Sequence, residues 1–200
     1  MDDVPTGNTY DKYASSNPVE RRLLAGFFKA LDALLPATTP SRVLEVGAGE
    51  GHVAARIRQR YPSARVVTFD LPDPELARGW DASSGVFGSA DALPFPDGAF
   101  DLVLAIEVLE HLPWPSTAVA ELSRVCGGTV VASVPREPLW RVLNLARGKY
   151  VRALGNTPGH IQHWSKGRFR ALLAERLDIE SLRTPTPWTM ASGRPRPNWG

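Results

Sequence analysis

A glycine-rich loop marks the stretch of the chain where chemistry is easiest to recognise. Gly47, Gly49 and Gly51 follow the short apolar run Arg42–Val46, and a helical pattern begins at His52. Glycines at such a turn let the backbone bend sharply and approach a ligand closely, because no Cβ stands in the way. In an open parallel sheet, ligands bind beyond the carboxyl ends of the strands. The loop therefore predicts a ligand site.

The residues around this loop narrow the kind of ligand. The dinucleotide pattern G-x-G-x-x-G requires a third glycine where this chain has His52. Glu45 precedes the loop, and its carboxylate would repel a pyrophosphate and attract a cationic group. Asp70 ends the next predicted strand, where an acid can bind the hydroxyls of any adenosine ribose. The ligand is therefore either a dinucleotide or a positively charged adenosyl compound.

The elements that must position these residues alternate along the chain. Strands alternating with helices imply right-handed βαβ units and an open parallel sheet. The last two strands are joined by four residues, too few for a crossover helix, so they should be antiparallel. An amphipathic helix capped by Asn17 comes first. Strands are then predicted at 42–46, 65–70, 85–89, 101–106, 129–134, 179–183 and 188–192, and helices at 52–61, 74–78, 116–125 and 166–177.

Taken together, four stretches resemble the class I S-adenosylmethionine-dependent methyltransferases of the small-molecule type, the methyltransferase domain 11-like group. They are VLEVGAGEG at 43–51, Asp70, DALPFPDGAFDLV at 91–103 and EVLEHL at 107–112. The resemblance spans residues 40 to 135. It implies a Rossmann-like three-layer α/β sandwich with a seven-stranded, mostly parallel sheet whose last strand is antiparallel. It also implies S-adenosylmethionine as methyl donor and S-adenosylhomocysteine as product.

The same resemblance implies the roles of individual cofactor-binding residues. The methionine part would meet the glycine loop with Glu45, Ile106 and Glu107, and the adenosine would meet the acids that follow the second and third strands. Each acid has the simpler alternative of capping a turn, and Tyr13 that of packing at a helix start. The predicted cofactor-binding residues are Tyr13, Glu45, Gly47, Ala48, Gly49, Gly51, Asp70, Leu71, Asp91, Ala92, Ile106 and Glu107.

Candidate catalytic groups are fewer, because the methyl group of a sulfonium is already activated and positioning can supply most of the acceleration. A base is needed only when the acceptor must lose a proton, and histidines serve that role near neutral pH. His111, His160 and His163 are the candidates, each with the alternative of merely packing. No metal is predicted, since no Cys, Asp or Glu lies beside His160 and His163.

Residues 136–165 are predicted to form a lid over the acceptor. This segment is rich in Arg and holds the candidate substrate contacts Trp140, Tyr150 and Trp164. Arginine binds carboxylate or phosphate through two hydrogen bonds, which favours an anionic acceptor. The stretch 139–152 mixes apolar and basic residues as interfacial helices do, so a lipid-like acceptor or peripheral membrane contact is an open alternative. The other alternative is that this stretch is a solvated helix packed on the sheet. No motif favours nucleic acid.

Composition bounds the domain organisation. The chain has 200 residues, 43% of them hydrophobic and 22% charged, which suits one globular domain. A single cysteine, Cys126, excludes an internal disulfide and fits the cytoplasm, and the acidic start is unlike a signal peptide. The oligomeric state is not predicted. The predicted parts are a cap helix in 1–40, a cofactor core at 41–135, the lid at 136–165, a final helix and strand pair at 166–194, and a tail at 195–200.

Two other functions are compatible with the same residues. An NAD(P)-dependent oxidoreductase would also use Asp70 and a glycine loop. A non-catalytic, cofactor-binding scaffold would keep the fold and bind a partner, but the intact acids Glu45, Asp70 and Asp91 speak against it. The methyltransferase with a small-molecule or lipid-like acceptor is the leading interpretation.

Overall fold

The computed structural model of the protein describes residues 17–73, 80 and 84–197. Tyr13 and the predicted helix at 74–78 lie outside these described residues. The elements are α1 Pro18–Asp32, β1 Arg42–Val46, α2 His52–Arg60, β2 Arg65–Asp70, β3 Gly85–Phe87, β4 Phe100–Ile106, α3 Pro115–Val125, β5 Cys126–Pro135, α4 Leu139–Ala146, a 3₁₀ turn Val151–Ala153, α5 Lys166–Ala174, β6 Leu177–Arg183 and β7 Trp188–Pro195.

The seven strands form one sheet in the order β3-β2-β1-β4-β5-β7-β6. Neighbouring strands from β3 to β5 pair in parallel, whereas β7 pairs antiparallel with both β5 and β6. This confirms the predicted mostly parallel sheet with an antiparallel last strand. The strand order reverses between β1 and β4, the position where open α/β sheets leave a crevice for ligands.

The central strand β4 shows why this sequence forms the sheet. Leu102, Val103, Leu104 and Ala105 are all fully buried, as expected for a parallel strand covered by helices on both faces. Their side chains alternate between two cores because successive residues of a strand point to opposite faces. One core holds Leu102 and Leu104 with residues of α1 and α2, and the other holds Val103 and Ala105 with residues of α3 and α5.

The N-terminal helix α1 begins as its sequence predicts. The Asn17 side chain accepts a hydrogen bond of 2.9 Å from the Val19 amide, and Pro18 occupies the first helical turn. Phe27 and Leu31 are buried, and the Phe27 ring packs edge-on against Trp188 of β7 at 5.0 Å between centroids. This helix thereby covers the sheet beside the ligand crevice.

The C-terminal strand is longer than the predicted strand at 188–192, because β7 extends to Pro195. Gly193 pairs with Val130 of β5 and with Ile179 of β6. A Cβ at Gly193 would lie 2.6 Å from the Asp178 carbonyl oxygen, so this glycine serves a close approach of two strands and does not end the structure. The preceding helix α5 ends at Ala174, because Leu177 already belongs to β6.

Candidate active site

A cavity of about 490 Å³ lies at the carboxyl ends of β1, β2 and β4, beneath α4. Its volume falls in the range of roughly 300–1,000 Å³ that small-molecule sites occupy. Its two ends differ: the glycine loop, Glu45 and Asp70 form one end, and Trp140, Tyr150 and His160 form part of the other. The predicted cofactor core and the predicted lid therefore meet in one space.

The glycine loop requires its glycines for conformational reasons. Gly47, Gly49 and Gly51 have φ values of 70°, 51° and 80°, the left-handed region that other residues avoid. The Gly47 amide donates a hydrogen bond of 2.8 Å to the Phe69 carbonyl oxygen of β2. A Cβ at Gly47 would approach Cγ2 of Val108 to 2.3 Å. The loop backbone is therefore held tightly between β2 and the segment after β4.

Asp70 orients the same loop from the end of β2. Its Oδ2 accepts a hydrogen bond of 2.7 Å from the Gly49 amide, and its Oδ1 accepts one of 2.7 Å from the Leu71 amide. Burial raises the pKa of Asp70 above its usual value, and the two amide hydrogen bonds oppose that rise. Each carboxylate oxygen accepts more than one hydrogen bond, so capacity remains for the two hydroxyls of a ribose.

Glu45 is a buried acid in the cavity wall. Glu45 is 2% exposed. Desolvation raises the pKa of its carboxyl group from 4.5 to about 8, and the Ala54 amide and Arg58 oppose this rise with smaller effects. No described residue donates a hydrogen bond to its Oε2. A buried carboxylate short of a donor is costly, and a cationic ligand would offset that cost. Glu45 therefore fits the ammonium end of an amino-acid ligand.

Glu107, at the floor of the cavity, has an unusual backbone. Its φ is 57°, a conformation that costs energy in residues other than glycine and that clusters at functional sites. The Glu107 amide donates a hydrogen bond of 3.1 Å to the Ser133 carbonyl oxygen, and Oε1 accepts one of 2.7 Å from Nε1 of Trp188. Glu107 thus joins β4 to β5 and β7, and with Ile106 it lines the cavity as predicted.

The adenine side agrees only in part with the prediction. Leu71 lines the cavity, together with Ser89 and Ala90, whereas Asp91 and Ala92 are exposed and lie next to the lining along the chain. Gly51 likewise stands just behind the lining, as the first residue before α2. Contact of these residues with a cofactor stays a prediction.

Trp80 is a site residue that the sequence reasoning missed. Its Nε1 donates a hydrogen bond of 2.8 Å to the Gly49 carbonyl oxygen, so it holds the glycine loop from outside the cavity. No pattern in the sequence marks it, because the contact joins two loop positions 31 residues apart in the chain.

The lid is held by a network that begins at a buried asparagine. Asn144 of α4 is 1% exposed, and its Nδ2 donates a hydrogen bond of 2.8 Å to the Gly155 carbonyl oxygen and one of 3.2 Å to Thr157 Oγ1. Nε1 of Trp140 donates a hydrogen bond of 2.9 Å to the same hydroxyl oxygen. These hydrogen bonds tie α4 to residues 155–157. An asparagine within an apolar helix was the available signal, and the sequence reasoning passed over it.

Basic residues lie at the mouth of the lid. Arg147 and Lys149 line the cavity, as does the predicted substrate contact Tyr150. Arg147 pairs with Glu20 of α1 at 3.0 Å and donates a hydrogen bond of 2.7 Å to Oδ1 of Asn144. The ion pair connects the lid to the first helix. Two basic residues of the lid therefore line the cavity, and Glu20, which pairs with one of them, lines it too.

Two of the three candidate histidines come together. His111 and His160 both line the cavity, with ring centroids 4.9 Å apart and edge-to-face geometry. Nδ1 of His111 lies 2.9 Å from the Gly159 carbonyl oxygen, and the His160 ring lies 6.0 Å from the Trp140 ring. The histidine after β4 and the histidine of the lid thus share the end of the cavity away from the glycine loop.

The structure does not bring the other lid candidates, His163 and Trp164, to the cavity. Nε2 of His163 lies 2.9 Å from Oδ1 of Asn156, and His163 is absent from the described cavity lining. Trp164 is buried in the core that packs α3 and α5, and its backbone bridges Arg136. Both follow the turn at which His160 faces the cavity. Because they lie within four residues of His160 in the chain, no sequence pattern distinguishes them from it.

Comparison of the sequence with known proteins indicates a methyltransferase domain. The chain matches the family model of a methyltransferase domain over residues 44–132. It is 35% identical over 123 residues to the malonyl-[acyl-carrier protein] O-methyltransferase of Geobacter sulfurreducens, covering 58% of this chain and 44% of that protein. It is 36% identical over 123 residues to the demethylmenaquinone methyltransferase of Thermus thermophilus, covering 55% and 54%.

The fold is also similar to that of solved structures. An S-adenosylmethionine dependent methyltransferase from Mesorhizobium loti superposes with a TM-score of 0.65 at 18% identity, covering 84% of this chain and 97% of that one. The chain itself spans about half the length of the curated relatives above. The matched methyltransferase domain implies S-adenosylmethionine as the cofactor. Residues 44–132 of this chain are thus similar to the class I S-adenosylmethionine-dependent methyltransferases.

Proposed function

We propose that this protein transfers the methyl group of S-adenosylmethionine to a small-molecule or lipid-like acceptor that carries an anionic group. The observation that carries the proposal is the continuous cavity from Glu45 and Asp70 to the basic lid residues Arg147 and Lys149. One end offers carboxylates to a cationic adenosyl ligand, and the other offers positive charge and aromatic walls to an acceptor.

The residues at the first end fit the cofactor. S-adenosylmethionine supplies a methyl group bound to a positively charged sulfur, together with an ammonium group and a ribose diol. Glu45 is buried and short of a hydrogen-bond donor, which suits the ammonium group. Asp70 is held by two amides and suits the diol. A pyrophosphate would bring negative charge beside Asp70 and would oppose the ionisation of Glu45, which disfavours the alternative NAD(P)-dependent enzyme.

At the second end, the residues indicate the class of acceptor. Trp140 and Trp188 line the cavity with ring centroids 5.8 Å apart and give it an apolar wall. Arg147 and Lys149 stand at the mouth, where a carboxylate or phosphate would gain charge-assisted hydrogen bonds. Trp140 and Tyr150 keep their predicted role as substrate contacts. His111 and His160 are the candidate bases for an acceptor that must lose a proton.

The outer side of the lid supports the lipid-like version of the acceptor. Val142 and Leu145 on α4 and Val151 and Leu154 beyond it are exposed, and the basic Arg152 lies among them. Apolar side chains flanked by cations are typical of helices that lie on an anionic membrane surface. Among the described residues, no helix has the length and apolar character needed to cross a bilayer. The proposed contact is with the surface of such a membrane.

Calorimetry with S-adenosylhomocysteine tests the cofactor half of the proposal. We expect the purified protein to bind this ligand and the Asp70→Ala variant to bind it far more weakly, because the ribose hydroxyls lose their acceptor. Glu175→Ala, a change in an exposed acid at the end of α5, is the matched control and should leave binding unchanged. Absence of binding at millimolar ligand, or binding of NADH instead, would overturn the proposal.

Acceptor panels grouped by charge and lipophilicity test the other half. Release of S-adenosylhomocysteine should be greatest with acceptors that combine an anionic group with an apolar body. Arg147→Gln should raise KM for anionic acceptors and leave that of their neutral analogues unchanged. Cofactor binding without turnover of any acceptor would favour the non-catalytic scaffold.

A further inference from the structure

We propose that Glu110, His111 and His160 form a binding site for one divalent transition-metal ion, with Zn²⁺ the best-matched ion. One potential ligand atom from each residue lies within 4.8 Å of the others. All three residues line the lid end of the cavity. The site is assembled from the segment after β4 and from the lid, which lie far apart in the chain, and it differs from the sequence expectation that no metal binds.

The donor set matches zinc chemistry. Two imidazoles and one carboxylate are the protein ligands of several catalytic zinc sites, in which the fourth position stays open for water or substrate. Around a tetrahedral zinc at about 2.0–2.1 Å from each ligand, neighbouring ligand atoms stand about 3.3 Å apart. The observed separations of up to 4.8 Å therefore need inward side-chain movements of about 1 Å.

The hydrogen bond of His111 prepares it as a ligand. Its Nδ1 lies 2.9 Å from the Gly159 carbonyl oxygen, and a carbonyl oxygen accepts only, so Nδ1 must carry the proton that it donates. In the neutral ring, Nε2 then keeps its lone pair. Metal-binding histidines almost always donate their other ring N–H in this way, which fixes the tautomer and the ring orientation.

Glu110 brings a buried carboxyl group and the lid together at this point. The residue is 1% exposed, and its carbonyl oxygen accepts hydrogen bonds of 3.0 Å from the amides of Ile161 and Gln162. These bonds hold the segment that follows His160 against the segment that carries Glu110 and His111. Glu110 thereby lies beside both imidazoles, and a bound metal ion would be a common partner of the three side chains.

The site deepens the proposed function and rests on it in one respect. Because all three ligands line the acceptor end of the cavity, the open coordination position would be reached by the acceptor. Hard oxygen groups such as a hydroxyl or carboxylate are then the expected ligands in that position. The inference therefore favours an acceptor that binds through oxygen.

Cobalt(II) titration of the metal-stripped full-length protein tests the site, since tetrahedral Co²⁺ absorbs visible light and Zn²⁺ displaces it. We expect a saturable visible band with one ion per chain. His111→Ala, His160→Ala and Glu110→Gln should each weaken Co²⁺ binding at least about tenfold, a loss that follows even from removing a residue that orients a ligand. His163→Ala is the matched control in the same lid segment and should bind Co²⁺ like the unchanged protein.

Other outcomes overturn the inference. Absence of a visible band at millimolar Co²⁺, with an unchanged melting temperature, would show that Glu110 pairs with a protonated histidine instead. Equal loss in His163→Ala would place the ion elsewhere. Should a variant melt early, Glu110→Asp, which keeps the charge and shortens the side chain, must still bind more Co²⁺ than Glu110→Gln. Calorimetry with S-adenosylhomocysteine on the same samples separates the failure of the metal site from that of the proposed function.

Discussion

The two ends of the cavity are built in different ways. At the glycine-loop end, the loop backbone is held by the end of β2: the Gly47 amide donates to the Phe69 carbonyl oxygen, and the Gly49 amide donates to the Asp70 carboxylate. At the lid end, side chains hold other side chains, as Trp140 and Asn144 do through Thr157. The first end is fixed by the sheet itself, whereas the second depends on a local network that the sheet does not determine.

This difference indicates which kind of ligand each end of the cavity suits. Strand ends hold a ligand at fixed places, which suits a cofactor common to many enzymes of one fold. A lid held largely by hydrogen bonds of its own side chains can change residue by residue without disturbing the sheet, which suits an acceptor that varies between relatives. Changes at the loop end should therefore alter stability and cofactor affinity together. Changes at the lid should leave cofactor affinity unchanged.

The largest expected effect comes from the buried acid Glu45. Burial raises its pKa from 4.5 to about 8, so the folded protein binds a proton that the unfolded chain has lost between these values. The free energy of unfolding should fall as pH rises from about 4.5 to 8, by up to about 5 kcal/mol from this group. Denaturation across this pH range should show that fall and show its loss in Glu45→Gln.

A matched variant sharpens the assignment. Glu175→Gln changes an exposed acid at the end of α5 and should keep the pH dependence of the unchanged protein. If Glu45→Gln and the unchanged protein gave parallel stability curves, Glu45 would already be ionised in the folded state, and folding would not raise its pKa.

The loop glycines should rank next. Gly47→Ala places a Cβ 2.3 Å from Val108 Cγ2 at a φ of 70°, so strain and overpacking should lower the free energy of unfolding by about 2–4 kcal/mol. Gly49→Ala is the control, because its φ is 51° but nothing stands within 4 Å, and it should cost about 1–2 kcal/mol. Chemical denaturation measures both. Equal losses would show that conformation alone, without packing against Val108, sets the cost.

Cofactor affinity should depend on pH through the same carboxylate. With a pKa of about 8, Glu45 is mostly protonated at neutral pH and must release its proton to meet an ammonium group. S-adenosylhomocysteine should bind about 50-fold more tightly at pH 8 than at pH 6, with close to one proton released at pH 7. Calorimetry in buffers of different ionisation enthalpy counts that proton. A pH-independent affinity would mean that the ligand binds without ionising Glu45.

Prediction from sequence succeeded where local patterns and the sheet coincide. The run from Leu102 to Ala105, the glycine loop and the acid at Asp70 all follow from strand periodicity and from the rule that ligands bind at strand ends. These features are local in the chain, so their residues could be named with their places in the site. The extra length of β7 was missed because Gly193 resembles the start of a loop.

The lid resisted prediction for a physical reason. His160, His163 and Trp164 lie within five residues, yet only His160 among them lines the cavity. What separates them is the turn near Gly159 and the hydrogen bonds of the Glu110 carbonyl oxygen to residues 161 and 162. Those contacts join segments distant in the chain, and no periodicity within 156–165 records them. Glu110 was overlooked for the same reason.

The smallest expected effect on stability comes from a change in the lid, which tests whether the two ends of the cavity are independent. Trp140→Phe removes the hydrogen bond from Nε1 to Thr157 Oγ1 and keeps most of the apolar wall. Loss of one neutral hydrogen bond should lower stability by about 1 kcal/mol. Because the bond ties α4 to the following turn, amide exchange should accelerate in 139–157 and stay unchanged in β1 and β4. S-adenosylhomocysteine affinity should also stay unchanged, whereas KM for the acceptor should rise. If exchange accelerated at the glycine loop as well, the lid and the cofactor end would be one cooperative unit, and acceptor binding would be coupled to cofactor binding through the fold.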